Sequence, residues 1–103
     1  MSVIRHVLEE ELDRLEKLIP EYEQKLKNIP DGSVSRKKRN KKYYLYRAYR
    51  DKGKINFVYI GHEDSDAAKQ ALADRKERIR YQQLLKKVKA DIRELKRALS
   101  GYR

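Results

Sequence analysis

Two apolar heptad patterns of equal length constrain how this 103-residue chain can fold. Apolar residues recur in alternating steps of 4 and 3 from Leu8 to Ile29, and again from Tyr81 to Tyr102. This spacing is typical of helices that pack along a narrow seam. The segment between the two patterns is long enough to reverse the direction of the chain. We therefore predict an antiparallel pair with Ile29 near Tyr81 and Leu8 near Tyr102.

Pro20 lies inside the first pattern. Proline lacks a backbone donor and clashes with the preceding helical turn. Because the apolar pattern keeps its phase through the proline, the sequence predicts a kink near Pro20 rather than a break. The Ile29-Pro30-Asp31-Gly32 segment is predicted to end the helix.

The segment between the two patterns predicts three strands. They cover about Ser33–Lys37, Tyr43–Arg50 and Ile55–Ile60. The chain turns near Asn40, and Asp51-Lys52-Gly53 is a hairpin loop with glycine where a positive φ is needed.

Alternation along the strands sorts their side chains between two faces. Tyr44 and Tyr46 fall on one face and Leu45 on the other. Both faces carry rings, so alternation leaves open which face is buried. We expect Tyr44, Tyr46, Phe57 and Tyr59 to pack in the core rather than to bind bases.

A second helix is predicted from the Asp64-Ser65-Asp66 cap to about Leu99. Its first part is rich in alanine, including Ala68 and Ala71. Such a thin face is suited to lying close on a sheet.

These patterns predict an α+β fold, a long antiparallel helical hairpin (coiled coil) with an inserted three-stranded antiparallel β-sheet. The single folded unit contains an N-terminal heptad helix (1–30), a basic and aromatic sheet (31–61) and a C-terminal helix (62–103). The C-terminal helix packs on the sheet and pairs with the N-terminal helix. A two-helix seam is narrow, so a homodimer or a partner protein through the helices is a further expectation.

The formal net charge is +11, and it is unevenly distributed. Residues 31–61 hold ten basic and two acidic side chains, whereas residues 1–30 are net negative. Such a field attracts polyanions: nucleic acid first, an acidic membrane second and an acidic protein third.

The absence of cysteine excludes disulfides and thiolate metal sites. With no apolar run long enough for a signal peptide, we expect a cytoplasmic protein.

Cations and rings on one strand surface can meet a phosphate backbone and bases together. In a major groove, arginine and asparagine can read guanine and adenine edges. The alternative is that the lysines solvate a small sheet. The candidate nucleic-acid-binding residues are Arg36, Lys37, Lys38, Arg39, Lys41, Lys42, Arg47, Tyr49, Arg50, Lys52, Lys54 and Asn56.

The chain carries no recognisable catalytic set. Ser33 and Ser35 have no base assigned by sequence, and there is no glycine-rich phosphate loop. His62 stands beside several acids, which a helix-capping loop explains better than a metal site. We therefore expect no enzyme, no cofactor and no metal.

Several short motifs resemble an uncharacterised family of small phage and prokaryotic proteins. They are Gly32-Ser33, Lys42-Tyr43-Tyr44, Tyr49-Arg50, Gly53-Lys54 and Tyr59-Ile60-Gly61. Over about residues 32–80, the strand–strand–strand–helix order is similar to the arm-site DNA-binding domain of tyrosine-type phage integrases and to AP2-like domains. In those domains the sheet lies in the DNA major groove.

Carried over by position, the resemblance implies DNA contacts from a subset of the sheet residues. They are Arg36, Lys38, Arg47, Tyr49 and Asn56. The chain departs from the integrases in its N-terminal heptad helix and in lacking their catalytic domain, so the resemblance implies no recombination.

Two functions follow as hypotheses. The first is a non-enzymatic nucleic-acid-binding accessory protein of a phage or mobile element, with duplex DNA favoured over RNA as its partner. The alternative is a coiled-coil protein-interaction or inhibitor module, for example a phage protein that docks on a host nucleoprotein complex. Membrane binding is not expected, because the helices lack a wide apolar face with aromatic anchors.

Overall fold

The computed structural model describes residues 3–102 and contains two helices and a three-stranded antiparallel sheet. The elements are α1 (Val3–Asn28), β1 (Ser33–Arg39), β2 (Lys42–Asp51), β3 (Lys54–His62) and α2 (Asp66–Ser100). The α+β prediction is confirmed, and every strand is longer than predicted. Contacts divide the chain into two compact units, one of residues 3–28 with 80–102 and one of residues 29–79. No helix within residues 3–102 has a stretch long and apolar enough to cross a bilayer.

The first unit pairs α1 with the C-terminal part of α2. Leu15, Val88 and Ile92 are buried at its centre. The ring of Tyr22 lies 5.8 Å from that of Tyr81. Half-buried apolar residues surround this cluster: Leu12, Leu18, Ile19, Tyr22 and Leu95. The buried positions belong to the two predicted seams, so the apolar spacing identified the packed faces correctly.

The two helical segments are antiparallel, with a register that differs from the prediction. Leu8 lines a shallow groove with Leu95 and Ala98, and Arg5 donates a 3.1 Å hydrogen bond to the carbonyl of Tyr102. Leu8 therefore lies about one turn short of its predicted neighbour Tyr102. Two apolar patterns of equal length do not fix the register of the helix pair. The register depends on how the side chains of the two helices fit together along the interface.

α1 continues through Pro20 as one helix. The proline removes one hydrogen-bond donor from the helix interior. No new helix begins there, and the kink stays a prediction.

In the second unit, strands β1, β2 and β3 are joined by two-residue hairpin loops. Both residues of each loop have positive φ: 51° for Asn40 and 67° for Lys41, then 49° for Lys52 and 79° for Gly53. Positive φ at both positions is the signature of type I′ turns, whose twist matches that of the flanking strands.

A β-bulge interrupts the pairing of β2 with β3. Tyr46 pairs with Tyr59 and Tyr44 pairs with His62, which leaves Ile60 as an extra residue on β3. The bulge shifts the alternation by one residue. As a result, His62 returns to the face that carries Tyr44 and Tyr59.

The start of α2 covers one face of the sheet. Leu45 at the centre of β2 is only 2% exposed, and Ala68 and Ala71 of α2 are also buried. Ala71 lines a common groove of about 340 Å³ with Arg47 and Val58 of the sheet. The burial of these alanines and their shared groove with the sheet identify the Leu45 face as the covered one.

Two arginines of α2 hold the chain segment that leads into β1. Arg75 donates to the carbonyl of Gly32 at 3.5 Å, and Arg78 donates to the carbonyl of Ile29 at 3.2 Å. Arg78 also lies 3.3 Å from a carboxylate oxygen of Asp31. These guanidinium groups therefore have a structural role in this unit.

The structure predicts that replacing two of the glycines by alanine lowers the stability of the fold by different amounts. A Cβ at Gly32 (φ +94°) would lie 2.5 Å from the carbonyl oxygen of Ala48, whereas a Cβ at Gly53 (φ +79°) would meet nothing within 4 Å. Backbone strain alone costs about 1 kcal/mol. We expect Gly32→Ala to lower the free energy of unfolding by about 2–4 kcal/mol and Gly53→Ala by about 1 kcal/mol, measured by urea denaturation. Equal losses would contradict the close approach at Gly32.

Candidate nucleic-acid interface

The sheet has two faces with different surroundings. The helix-side face carries Leu45 and packs under α2. The opposite side is called the open face. Its residues are assigned from the strand register and from the alternation of side chains along each strand. It consists of Ser33, Ser35, Lys37, Arg39, Lys42, Tyr44, Tyr46, Ala48, Arg50, Ile55, Phe57, Tyr59 and His62.

Aromatic side chains on the open face reach solvent. Phe57 is 49% exposed and Tyr59 is 58% exposed, while Tyr44 and Tyr46 are half-buried. The expectation that these rings pack in the core is therefore wrong for Phe57 and Tyr59. The physical reason is that α2 covers the Leu45 face.

The rings of Tyr44, Tyr46 and Tyr59 form a connected cluster. The ring of Tyr59 lies 6.3 Å from that of Tyr44 and 5.5 Å from that of Tyr46. Tyr44 in turn meets the edge of His62 at 5.5 Å. Cross-strand ring pairs of this kind stabilise a sheet, and here they also create a continuous aromatic surface.

A lysine lies directly against this surface. The ammonium group of Lys37 is 3.8 Å from the centre of the Phe57 ring and 5.1 Å from that of Tyr46. Cation–π attraction holds the charge beside the rings. Lys37 takes part in none of the ion pairs described for residues 3–102.

The open face carries cations and no carboxylate. Lys37, Arg39, Lys42 and Arg50 all lie on it. The only acid between residues 33 and 61 is Asp51, which alternation places on the helix side. The resulting field has one sign and attracts anions.

The structure separates the twelve predicted site residues into three groups. Lys37, Arg39, Lys42 and Arg50 lie on the open face, and Lys41 and Lys52 occupy the hairpin loops. The remaining residues point to the helix side: Arg36, Lys38, Arg47, Tyr49, Lys54 and Asn56. All five residues implied by the integrase resemblance belong to this last group.

Three of the helix-side residues, Arg36, Lys38 and Asn56, make contacts within the chain, and the Lys38 ammonium group lies 5.8 Å from the centre of the Tyr43 ring. Arg36 lies 2.9 Å from the carboxylate of Glu63 and stacks 3.4 Å from the centre of the Tyr43 ring. Asn56 donates a 3.4 Å hydrogen bond to the carbonyl of Lys54. The Arg36–Glu63 pair joins distant parts of the chain, so the residue pattern did not reveal it.

The acids next to His62 belong to the start of α2. The backbone N–H of Asp64 donates to Nδ1 of His62 at 3.1 Å, and the hydroxyl of Ser65 accepts from the N–H of Ala68 at 3.2 Å. Ser65 is therefore the N-cap, within the predicted capping segment. Residues 3–102 contain no group of three His, Cys, Asp or Glu side chains placed to hold a metal ion.

Residues 5–70 match the profile of DUF6788, a domain of unknown function. The chain belongs to the DUF6788 family. The match contains all three strands, so the open face lies within the DUF6788 domain. No curated protein and no solved structure matches the chain. The similarity to integrase arm-site domains stays a prediction.

Both hairpin loops of this DUF6788 protein place a lysine at a positive φ. Lys41 has a φ of 67° and Lys52 a φ of 49°. Type I′ loops are dominated by glycine, asparagine and aspartate, because a Cβ is crowded in this region. Each hairpin tip therefore carries a cation at a backbone conformation that is strained for a residue with a Cβ.

Replacing Lys41 separates this strain from the charge. We expect Lys41→Gly to raise the free energy of unfolding by about 0.5–1 kcal/mol over Lys41→Gln, because only glycine relieves the positive φ. Both variants remove the same cation, so the difference isolates the backbone term. Chemical denaturation of the pair measures it. A Gln variant as stable as the Gly variant would contradict the strained turn.

Proposed function

We propose that this DUF6788 protein is a non-enzymatic nucleic-acid-binding protein that contacts a polynucleotide with the open face and its hairpin loops. One observation carries the proposal: exposed rings and four cations share this face without a carboxylate. Cations contact phosphates, and exposed rings contact bases.

The arrangement of the open face favours a linear anion. Arg39 and Lys42 pair beside one hairpin loop, and Arg50 lies toward the other end of β2. Phe57 and Tyr59 lie between these ends. A strand of nucleic acid offers a row of charges with planar groups attached, which matches cations at both ends and rings between them.

Most cations of the sheet are available for such contacts. Of the ten cations predicted for the site, the ion pairs described for residues 3–102 involve Arg36 alone. An accessory role in a phage or mobile element stays a prediction from the resemblance.

Substitution of open-face cations tests the proposal. We expect Lys37→Gln, Arg39→Gln and Lys42→Gln together to weaken oligonucleotide binding about 10- to 100-fold near 0.1 M salt. The slope of log affinity against log salt should fall by about one for each lost phosphate contact. Fluorescence anisotropy of a labelled oligonucleotide over a salt series measures both quantities.

A matched control comes from three exposed lysines of α1. Lys17→Gln, Lys25→Gln and Lys27→Gln together remove the same total charge, and none of these residues belongs to the sheet. We expect this control to weaken binding by less than about threefold. Equal losses in the two triple variants would show non-specific charge attraction and refute the open face as the site.

A second candidate function is protein interaction through the helical unit, and the start of α1 favours it. Val3, Ile4 and Val7 are 78%, 61% and 55% exposed. Exposed apolar clusters often mark protein interfaces. This candidate is compatible with nucleic-acid binding by the sheet.

Light scattering tests the second candidate. If a second copy covers these residues, the protein is a dimer in solution, and Ile4→Glu with Val7→Glu shifts it to the monomer because buried carboxylates lose hydration. Open-face oligonucleotide binding per chain should persist in this variant. A wild-type monomer at high concentration would exclude the homodimer.

A further inference from the structure

The open face carries the two most exposed rings of the sheet, whereas residue types that read base edges lie on both faces. Asn56 and Arg47 lie on the helix side, and Arg39 and Arg50 lie on the open face. Asn56 is also hydrogen-bonded within its own strand. Phe57 and Tyr59, which can stack on base faces, are on the open side and exposed.

The exposed rings of the open face distinguish a single strand from a duplex as the better ligand. In a duplex, base faces are stacked on one another and the grooves display only base edges. In a single strand the base faces are available, and they stack on aromatic side chains. A face whose centre is aromatic therefore matches unpaired bases better than a groove.

The geometry of the rings leaves room for bases. The planes of Tyr44 and Tyr59 are inclined by 43° and those of Tyr46 and Tyr59 by 64°. The rings thus do not stack in parallel, so no ring covers the whole face of its neighbour. Each exposed ring keeps apolar surface that a base can cover.

Phosphate contacts are available beside the same rings. The Lys37 ammonium group lies within 3.8 Å of the Phe57 ring centre. Arg39 and Lys42 form the next cross-strand pair beyond Lys37 and Tyr44 on the open face. A nucleotide whose base stacks on Phe57 or Tyr59 can therefore direct its phosphate toward these cations.

We propose that the open face binds single-stranded nucleic acid, with bases stacked on Phe57 and Tyr59 and phosphates held by Lys37 and its neighbouring cations. This inference rests on the proposed function and names its substrate. It departs from the duplex DNA favoured by the sequence resemblance.

The test compares single strands with a duplex on one protein. Oligonucleotides of about 12 residues, one of deoxythymidine and one of uridine, are titrated beside a duplex of similar length. We expect at least one single strand to bind about tenfold tighter than the duplex. The deoxy and ribo arms show which sugar is preferred.

Ring substitutions test the stacking itself. We expect Phe57→Leu with Tyr59→Leu to weaken single-strand binding about 5- to 100-fold, because stacking contributes strongly for each base. The salt slope should stay unchanged, since every cation remains. Tyr102→Leu, which removes an exposed ring from the helical unit, should leave binding unchanged.

An independent measurement uses the wild-type chain, so it does not depend on variant folding. Stacking should move the ring-proton NMR signals of Tyr59 upfield when the single strand is added. Ring signals that stay in place would overturn stacking even if the leucine variants lost affinity.

The results distinguish the two proposals. Failure of the wild-type protein to bind any oligonucleotide more tightly than the triple open-face variant (Lys37→Gln, Arg39→Gln and Lys42→Gln) would refute nucleic-acid binding by the open face. Tighter binding of the duplex, lost in that triple open-face variant and retained on Tyr59→Leu, would overturn the single-strand inference and leave the proposed function standing.

Discussion

The covering of one sheet face by the start of α2 determines which side chains of the second unit reach solvent. Ala68 and Ala71 of α2 are buried, as is Leu45 at the centre of the sheet. A three-stranded sheet with one helix has a single covered face. The alanines therefore decide which rings and cations remain accessible, although they carry no binding chemistry themselves.

Strand alternation then divides the basic run between the two faces. Lys37 and Arg39 fall on the open face, while Arg36 and Lys38 fall on the other. The acids lie on the helix side, where Glu63 pairs with Arg36 and Asp51 is placed by alternation. Alternation thus gives the open face only part of the cations of the basic run, and the separation of the acids gives it a field of one sign.

The local patterns of the sequence predicted the fold class, the three strands, both helices and the capping segment at Ser65. Each of these depends on residues close together in the chain. The bulge at Ile60, the one-turn offset of Leu8 from Tyr102 and the partner of Arg36 depend on contacts between distant segments. No single-segment pattern contains that information.

The site was only partly predictable for a related reason. Alternation separated the rings of Tyr44 and Tyr46 from Leu45 correctly, but both faces carried aromatic residues. The deciding fact was which face the alanines of α2 cover. Because α2 covers the Leu45 face, Phe57 and Tyr59 are exposed and become candidate site residues, and the positions implied by the resemblance lie on the helix side.

A purely structural role for the cations of β1 accounts for fewer features of the sheet than a role in binding an anion does. β1 is an edge strand, and charged side chains on an edge prevent pairing with other chains. Lysine is a common edge-protecting residue, so edge protection is consistent with the cations of β1. It gives no reason, however, for Lys37 to lie across the rings of Phe57 and Tyr46, or for lysines at positive φ in both hairpin loops. A polyanion with planar groups accounts for the sign of the charge, the exposed rings and the position of the lysines together.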